Sequence, residues 1–208
     1  MLQHLITQSD DLRMIPADRE QLASTVEKMR EDLRALPADA DPNQTRVLAR
    51  WIGIGLVSLG DPQDAHPFLR QALDLATASD NSRAVIATEL NLGDAHRYTG
   101  EVDIADALYR GALDAARSRH PELVDFALQH FGKHLMEKGE LVPARTHLQE
   151  ALRLRIAKGD TGLIESTQAA LDRVELLIGR TSAGTAASVA GDEGARLHAD
   201  RTQLQKGG

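Results

Sequence analysis

Apolar residues recur along most of this chain at the three- and four-residue spacing of an α-helix that turns one face to a core. Between residues 17 and 36 the stripe is Leu22, Val26, Met29, Leu33 and Leu36. It predicts one amphipathic helix, followed by the Pro/Asp-rich connector ALPADADPNQ at 35–44. Helical patterns then break at regular intervals, predicting helices near 44–58, 62–78, 82–98, 102–118, 121–138 and 141–157. Leu163, Ile164, Leu171, Val174, Leu177 and Ile178 mark a last helix over 163–179. No stretch sustains a period-two alternation, so essentially no strand is expected.

Punctuation supports these boundaries. Pro62 and Pro121 suit the first turn of a helix, where a missing N–H costs nothing, and Ser82 and Thr161 are candidate N-caps. Pro67 disagrees: inside a predicted helix it should bend the axis or delay the start.

An internal repeat organises the middle of the chain. Gly53, Gly93 and Gly132 are spaced by 40 and 39 residues. Seven residues after each stands Gly60, Gly100 or Gly139, and twelve after each stands Ala65, Ala105 or Ala144. Nineteen and twenty after each come Ala72-Leu73, Ala112-Leu113 and Ala151-Leu152. A large residue also recurs between the alanines, as Leu69, Tyr109 and Leu148. The first glycine and first alanine of each copy suit a close approach of two helices. Gly60, Gly100 and Gly139 suit helix C-termini, where the chain turns through a left-handed conformation. Asp61, Glu101 and Glu140 follow directly, placed to cap the next helix and to accept its free N–H groups.

This pattern resembles the tetratricopeptide repeat (TPR) family, in which small and large residues pair across two antiparallel helices. The fullest match is NLGDAHRYTGEVDIADALYRGAL at 91–113, with Leu92-Gly93, Gly100, Ala105, Tyr109 and Ala112 in register. The copies at 47–73 and 126–152 match less fully. A period near 40 exceeds the family's usual 34 or so and is similar to the longer-helix variety of kinesin light chains and bacterial regulator sensor domains. Pro67 departs from the pattern, as does the lack of a proline closing the second helix. The resemblance implies an all-α fold, an α-solenoid of antiparallel helix pairs forming a TPR-like superhelix with flanking helices. Residues 43–180 would hold three repeats and a C-terminal capping helix, and 181–208 a flexible tail with a brief helix near 193–204. Residues 1–42 would be a helical cap or degenerate repeat, with Leu2, Leu5, Ile6, Leu12 and Ile15 supplying its first helix.

Composition narrows the chemistry. The 208 residues are 42% apolar, 26% charged and 3% aromatic, a globular balance packed mainly by Leu, Val, Ile and Ala. The absence of cysteine excludes a disulfide scaffold, a thiolate metal site and a cysteine nucleophile. A net charge of −7 argues against a nucleic-acid or anionic-membrane partner. Residues 1–42 carry 5 basic and 9 acidic side chains, a poor start for a DNA-reading helix. The N-terminus has no secretory pattern and no apolar run reaches membrane length, so a cytoplasmic protein is expected.

The resemblance also implies a concave surface lined by the first helix of each pair. Mapped onto this chain, the partner-binding candidates are Arg50 and Ile54 in the first copy, with Val57 beside them. The second copy offers Asn91, Asp94, Arg97 and Tyr98, with Leu90; the third offers Gln129, His130 and Lys133, with Met136. Asn91 stands where related arrays hold a peptide backbone. The lysine and asparagine set that clamps a C-terminal carboxylate in chaperone-binding members is not reproduced, its place being taken by Ile54, Leu90 and a mixed-charge strip. Arg50, Arg97 and Lys133 beside Asp94 suit a segment with both apolar and acidic groups.

His130 and His134 share a helix face, but the glutamate of a zinc-protease motif is absent, so they read as ordinary surface or groove histidines and no metal or other cofactor is expected. Glu89, Asp94, His96 and His130 are the side chains that could converge as acid and base. No nucleophile elbow, phosphate loop or dinucleotide motif accompanies them, so catalysis is not expected. The leading expectation is a non-catalytic module binding a peptide or protein ligand. The alternative is self-association into a homo-oligomer through terminal helices; a small-molecule enzyme built in the groove comes third.

Overall fold

The computed structural model describes residues 2–181. The sequence-predicted tail and its short helix near 193–204 lie outside the described residues. Helix α1 (Arg19–Arg34) is followed by three antiparallel pairs: α2 (Pro42–Leu59) with α3 (Pro62–Ala78), α4 (Ser82–Thr99) with α5 (Val102–Arg119), and α6 (Val124–Glu137) with α7 (Leu141–Lys158). A final helix, α8, covers 161–181. Among the described residues no helix is long and apolar enough to cross a membrane.

The repeated columns do what their sizes imply. A Cβ added to Gly53 would lie 2.4 Å from Leu69 Cγ, one on Gly93 2.6 Å from Tyr109 Cε1, and one on Gly132 2.8 Å from Leu148 Cγ. Each glycine therefore receives the large residue of its partner helix, which ridge-into-groove packing could not admit with a side chain in the way. Ala65, Ala105 and Ala144 are fully buried at the same crossings. The device extends to α1, since a Cβ on Gly55 would lie 2.4 Å from Val26 Cγ2.

Gly60, Gly100 and Gly139 adopt φ of 89°, 82° and 79°, and the next N–H reaches back five residues at each turn. Asp61 N donates to Leu56 O, Glu101 N to His96 O and Glu140 N to Leu135 O, each at 2.9 Å. These bonds satisfy carbonyls that a helix end otherwise leaves open. Gly159, with φ 77°, ends α7 in the left-handed conformation too, although it belongs to no repeated column.

The caps differ from expectation. Asp61, Glu101 and Glu140 occupy N-cap positions but make no side-chain cap bond. Asn81, not Ser82, caps α4 by accepting from Ala84 N at 3.0 Å, and Asp160, not Thr161, accepts from Leu163 N at 3.1 Å. These Asx side chains reach the first-turn N–H groups from one position earlier. Pro121 opens a 3₁₀ turn, Pro121–Leu123, ahead of α6. Pro67 does not delay α3, which begins at Pro62. A proline this near a helix start loses only one early backbone bond.

The N-terminus corrects the sequence reading outright. Leu2, Leu5, Ile6, Leu12 and Ile15 form no α-helix; a 3₁₀ turn (Gln3–Leu5) leads into a hairpin of β1 (Ile6–Gln8) and β2 (Met14–Pro16). The strands are antiparallel, pairing Ile6 with Pro16 and Gln8 with Met14. Ser9-Asp10-Asp11 supplies turn formers, and Pro16 would lack the N–H that a helix interior requires. Strands of three residues are too short to display an alternation. Leu12, at the bend, takes φ 66°, a costly conformation for leucine that burial of its side chain offsets.

Candidate functional site: the concave face

The first helices α2, α4 and α6 lie side by side, giving the solenoid an inner face. That face is not open. The N-terminal segment and its hairpin lie across it and touch α2, α4, α6 and α8. Leu2 approaches α2 at Gly55, and Met14 N–H donates to Tyr98 Oη on α4 at 2.6 Å. Arg13 pairs with Glu137 on α6 at 3.2 Å, and Gln8 Nε2 donates to Ser166 Oγ on α8 at 3.2 Å. Leu12 joins the apolar cluster of Leu90, Leu128 and Phe131.

On the same face the expected polar binding residues form a layer that is buried or half-buried. Arg50 Nε donates to Asn91 Oδ1 at 2.8 Å, so the asparagine expected to hold a peptide backbone already holds an arginine. Ile54 is buried alongside. Asp94 accepts from Tyr109 Oη at 2.7 Å and lies 2.9 Å from His130 Nδ1 and 3.6 Å from Arg97 Nη2. Burial alone would raise the Asp94 carboxyl, but His130, Arg97 and the Tyr109 hydroxyl hold it well below the usual range. Gln129 donates to Ser166 Oγ at 3.0 Å and accepts from Thr167 Oγ1 at 2.8 Å.

Two cations in this layer are poorly matched. Arg97 is 6% exposed, and among the described residues its Nε and Nη1 have no hydrogen-bond partner. Glu137 is 3.9 Å from Nε, beyond hydrogen-bond range. Lys133 is 7% exposed and has neither a hydrogen bond nor an ion pair among the described residues. Burial first, and then the positive charge of Arg97, push its amine down to about 7.

No protein-family model matches the sequence, and no curated protein matches it. Solved structures do match in shape. A Podospora anserina putative kinesin light chain with nearly identical TPR-like repeats superposes with a TM-score of 0.56 at 15% identity, over 80% of this chain and 83% of that one. A point variant of the same kinesin light chain gives 0.57 at 17% identity, over 80% and 82%. BtubC (BKLC) from P. vanneervenii gives 0.55 at 15% identity, over 78% and 75%. The fold is a TPR-like helical repeat.

Within this TPR-like array the four side chains considered for acid–base work do not converge. Asp94 and His130 meet, but His96 Nδ1 pairs with Glu101 Oε2 at 2.8 Å, and Glu89 lines a separate cleft with Arg119. His134, expected on the surface or in the groove, is 1% exposed and packs against Tyr109, with ring centroids 5.2 Å apart. Sequence reasoning missed the hairpin as occupant of the face. It also missed the lock on α8, where Arg155 donates from Nε to Asp125 Oδ2 at 3.0 Å and from Nη1 to Thr167 Oγ1 at 2.6 Å. An arginine, even between Leu154 and Ile156, carries no apolar signal that marks it for burial.

Proposed function

We propose that this chain is a non-catalytic interaction module, serving as scaffold or regulatory sensor, that binds a peptide or protein segment along its concave face. The TPR-like fold supports an interaction role in general. The observation that carries the specific reading is Arg97, with two buried nitrogens that lack acceptors, beside the largely buried Lys133, near a strip of extended chain. Leaving such groups without acceptors costs folding free energy, and a ligand carboxylate would recover it. The apolar cluster around Leu12 adds a seat for a large aliphatic side chain. The ligand is therefore a segment that combines an acid with an apolar anchor and takes the place of the hairpin. Helices held by tight glycine crossings keep the face preorganised, which lowers the entropy lost on binding.

A displayed peptide library selected on the full chain tests this. Selected peptides are expected to combine acidic and apolar residues, and to bind Lys133→Glu at least about tenfold more weakly, a loss of about 1.4 kcal/mol. Arg110→Glu, at an exposed site on α5, should bind like the wild type. Lys133→Gln replaces the reversal if circular dichroism shows that the latter perturbs folding. Equal affinity for wild type and Lys133 variants removes the reading.

A further inference from the structure

A second cluster lies away from the concave face, where α3 meets the turn between α4 and α5. We propose that His66, His96 and Glu101 form a binding site for one divalent transition-metal ion of the zinc type, clamping the first helix pair to the second. Each residue offers one ligand atom, and these atoms all lie within 4.8 Å of one another. Tetrahedral zinc with bonds of about 2.0–2.1 Å needs donors about 3.4 Å apart, so small side-chain rotations close the site.

Two segments supply the ligands, α3 and the turn from α4 into α5, so the meeting of His66 with the other two is tertiary and not a local spacing. His66 comes from the first turns of α3 and His96 from the last turn of α4, and their rings stack with centroids 4.3 Å apart and planes 29° apart. Glu101 follows Gly100, whose φ of 82° turns the chain so that the carboxylate faces back to His96. Thr99 Oγ1 donates to the same Glu101 oxygen at 2.7 Å, orienting it as supporting hydrogen bonds orient metal-bound carboxylates.

The second observation is independent of the clustering. His66 Nε2 is buried and has no hydrogen-bond partner among the described residues. A buried imidazole nitrogen is ordinarily paired, and a neutral ring with the proton on Nδ1 offers a lone pair there to a metal. Two imidazoles and a carboxylate suit Zn²⁺, Ni²⁺ or Co²⁺ better than the oxygen-seeking Mg²⁺ or Ca²⁺. Glu101 is exposed, so water completes the fourth position from the solvent side. None of the three residues contributes to the concave face, so this site and the groove stand or fall separately.

The test is calorimetric titration of the full, tag-free and chelator-treated chain with Zn²⁺ alone, with a parallel melt with and without the ion. One ion per chain is expected, together with a higher Tm, because an ion that binds only the folded state stabilises it. His66→Gln and Glu101→Gln should each weaken binding by more than about tenfold and abolish the Tm rise, whereas His147→Gln, on α7 and outside both sites, should do neither. Glu101 is exposed, so its variant decides the matter even if His66→Gln proves unstable. Absence of binding, or binding unchanged in both cluster variants, overturns the proposal.

Discussion

Arg155 on α7 and Arg97 on α4 are buried to a similar degree, at 2% and 6% exposure, yet only the first is well supplied with acceptors. Arg155 reaches Asp125 on α6 and both Leu163 O and Thr167 on α8, and Lys158 adds a second cation to the same carboxylate. Its hydrogen bonds tie three helices together and secure the end of the solenoid. Arg97 has ion-pair contacts at 3.6 and 3.9 Å and stacks over the Tyr98 ring at 5.0 Å, and Lys133 beside it has no ion pair among the described residues. Burial of a cation thus has two meanings in one fold. Where acceptors surround it, the charge fixes architecture; where they are missing, the charge is costly to keep buried.

The sharpest way to break this contrast is Asp125→Leu. It would leave Arg155 buried without its carboxylate and should cost about 3–5 kcal/mol, read from urea unfolding. A loss below about 1 kcal/mol would show that the α8 lock is ornamental. Lys133→Met should move the other way, stabilising the chain by about 1–3 kcal/mol near neutral pH because it removes an unmatched group. The pH dependence sharpens this. Folded, the amine loses its proton at about 7; unfolded, it keeps it to about 10.5. Across that window the unfolded chain binds more protons, so this group makes wild-type stability rise with pH. Denaturation of Lys133→Met from about pH 7 to 10 should lack that rise.

Packing supplies a charge-free scale for both results. Gly93→Ala drives a methyl into the Tyr109 ring and should cost about 1–3 kcal/mol. Gly111→Ala, with nothing within 4 Å of the added Cβ, should stabilise α5 by about 0.4–1 kcal/mol. Thermal melts showing similar signs for both would contradict the helix crossing described here. A more local change is Tyr98→Phe, which removes the acceptor of Met14 N–H and should cost about 0.5–1.5 kcal/mol. Hydrogen exchange should quicken within 2–16 while α6 to α8 stay protected; uniform exchange would mean that the hairpin is no separate element.

Helix boundaries, the three pairs and the close crossings were legible in the chain because each follows from a local cause. Apolar spacing selects helix over strand, and glycine at Gly60, Gly100 and Gly139 permits the left-handed turn that ends a helix. Repetition amplified those signals threefold. The hairpin, the Asn81 and Asp160 caps in place of Ser82 and Thr161, and the fate of the groove residues were not legible. A three-residue strand carries no period, and a polar side chain looks the same in sequence whether solvent or a buried partner receives it. Register put Arg50, Asn91 and Asp94 on the first helices of their pairs, but only the assembled fold brought residues 2–16 against those helices. The same holds for His66, whose position in sequence gives no hint that it meets His96 and Glu101. Secondary structure and pairing follow from short-range sterics and amphipathic patterning along the chain. What covers a surface, and which charges find partners, depends on segments far apart in sequence, and tertiary packing alone brings those together.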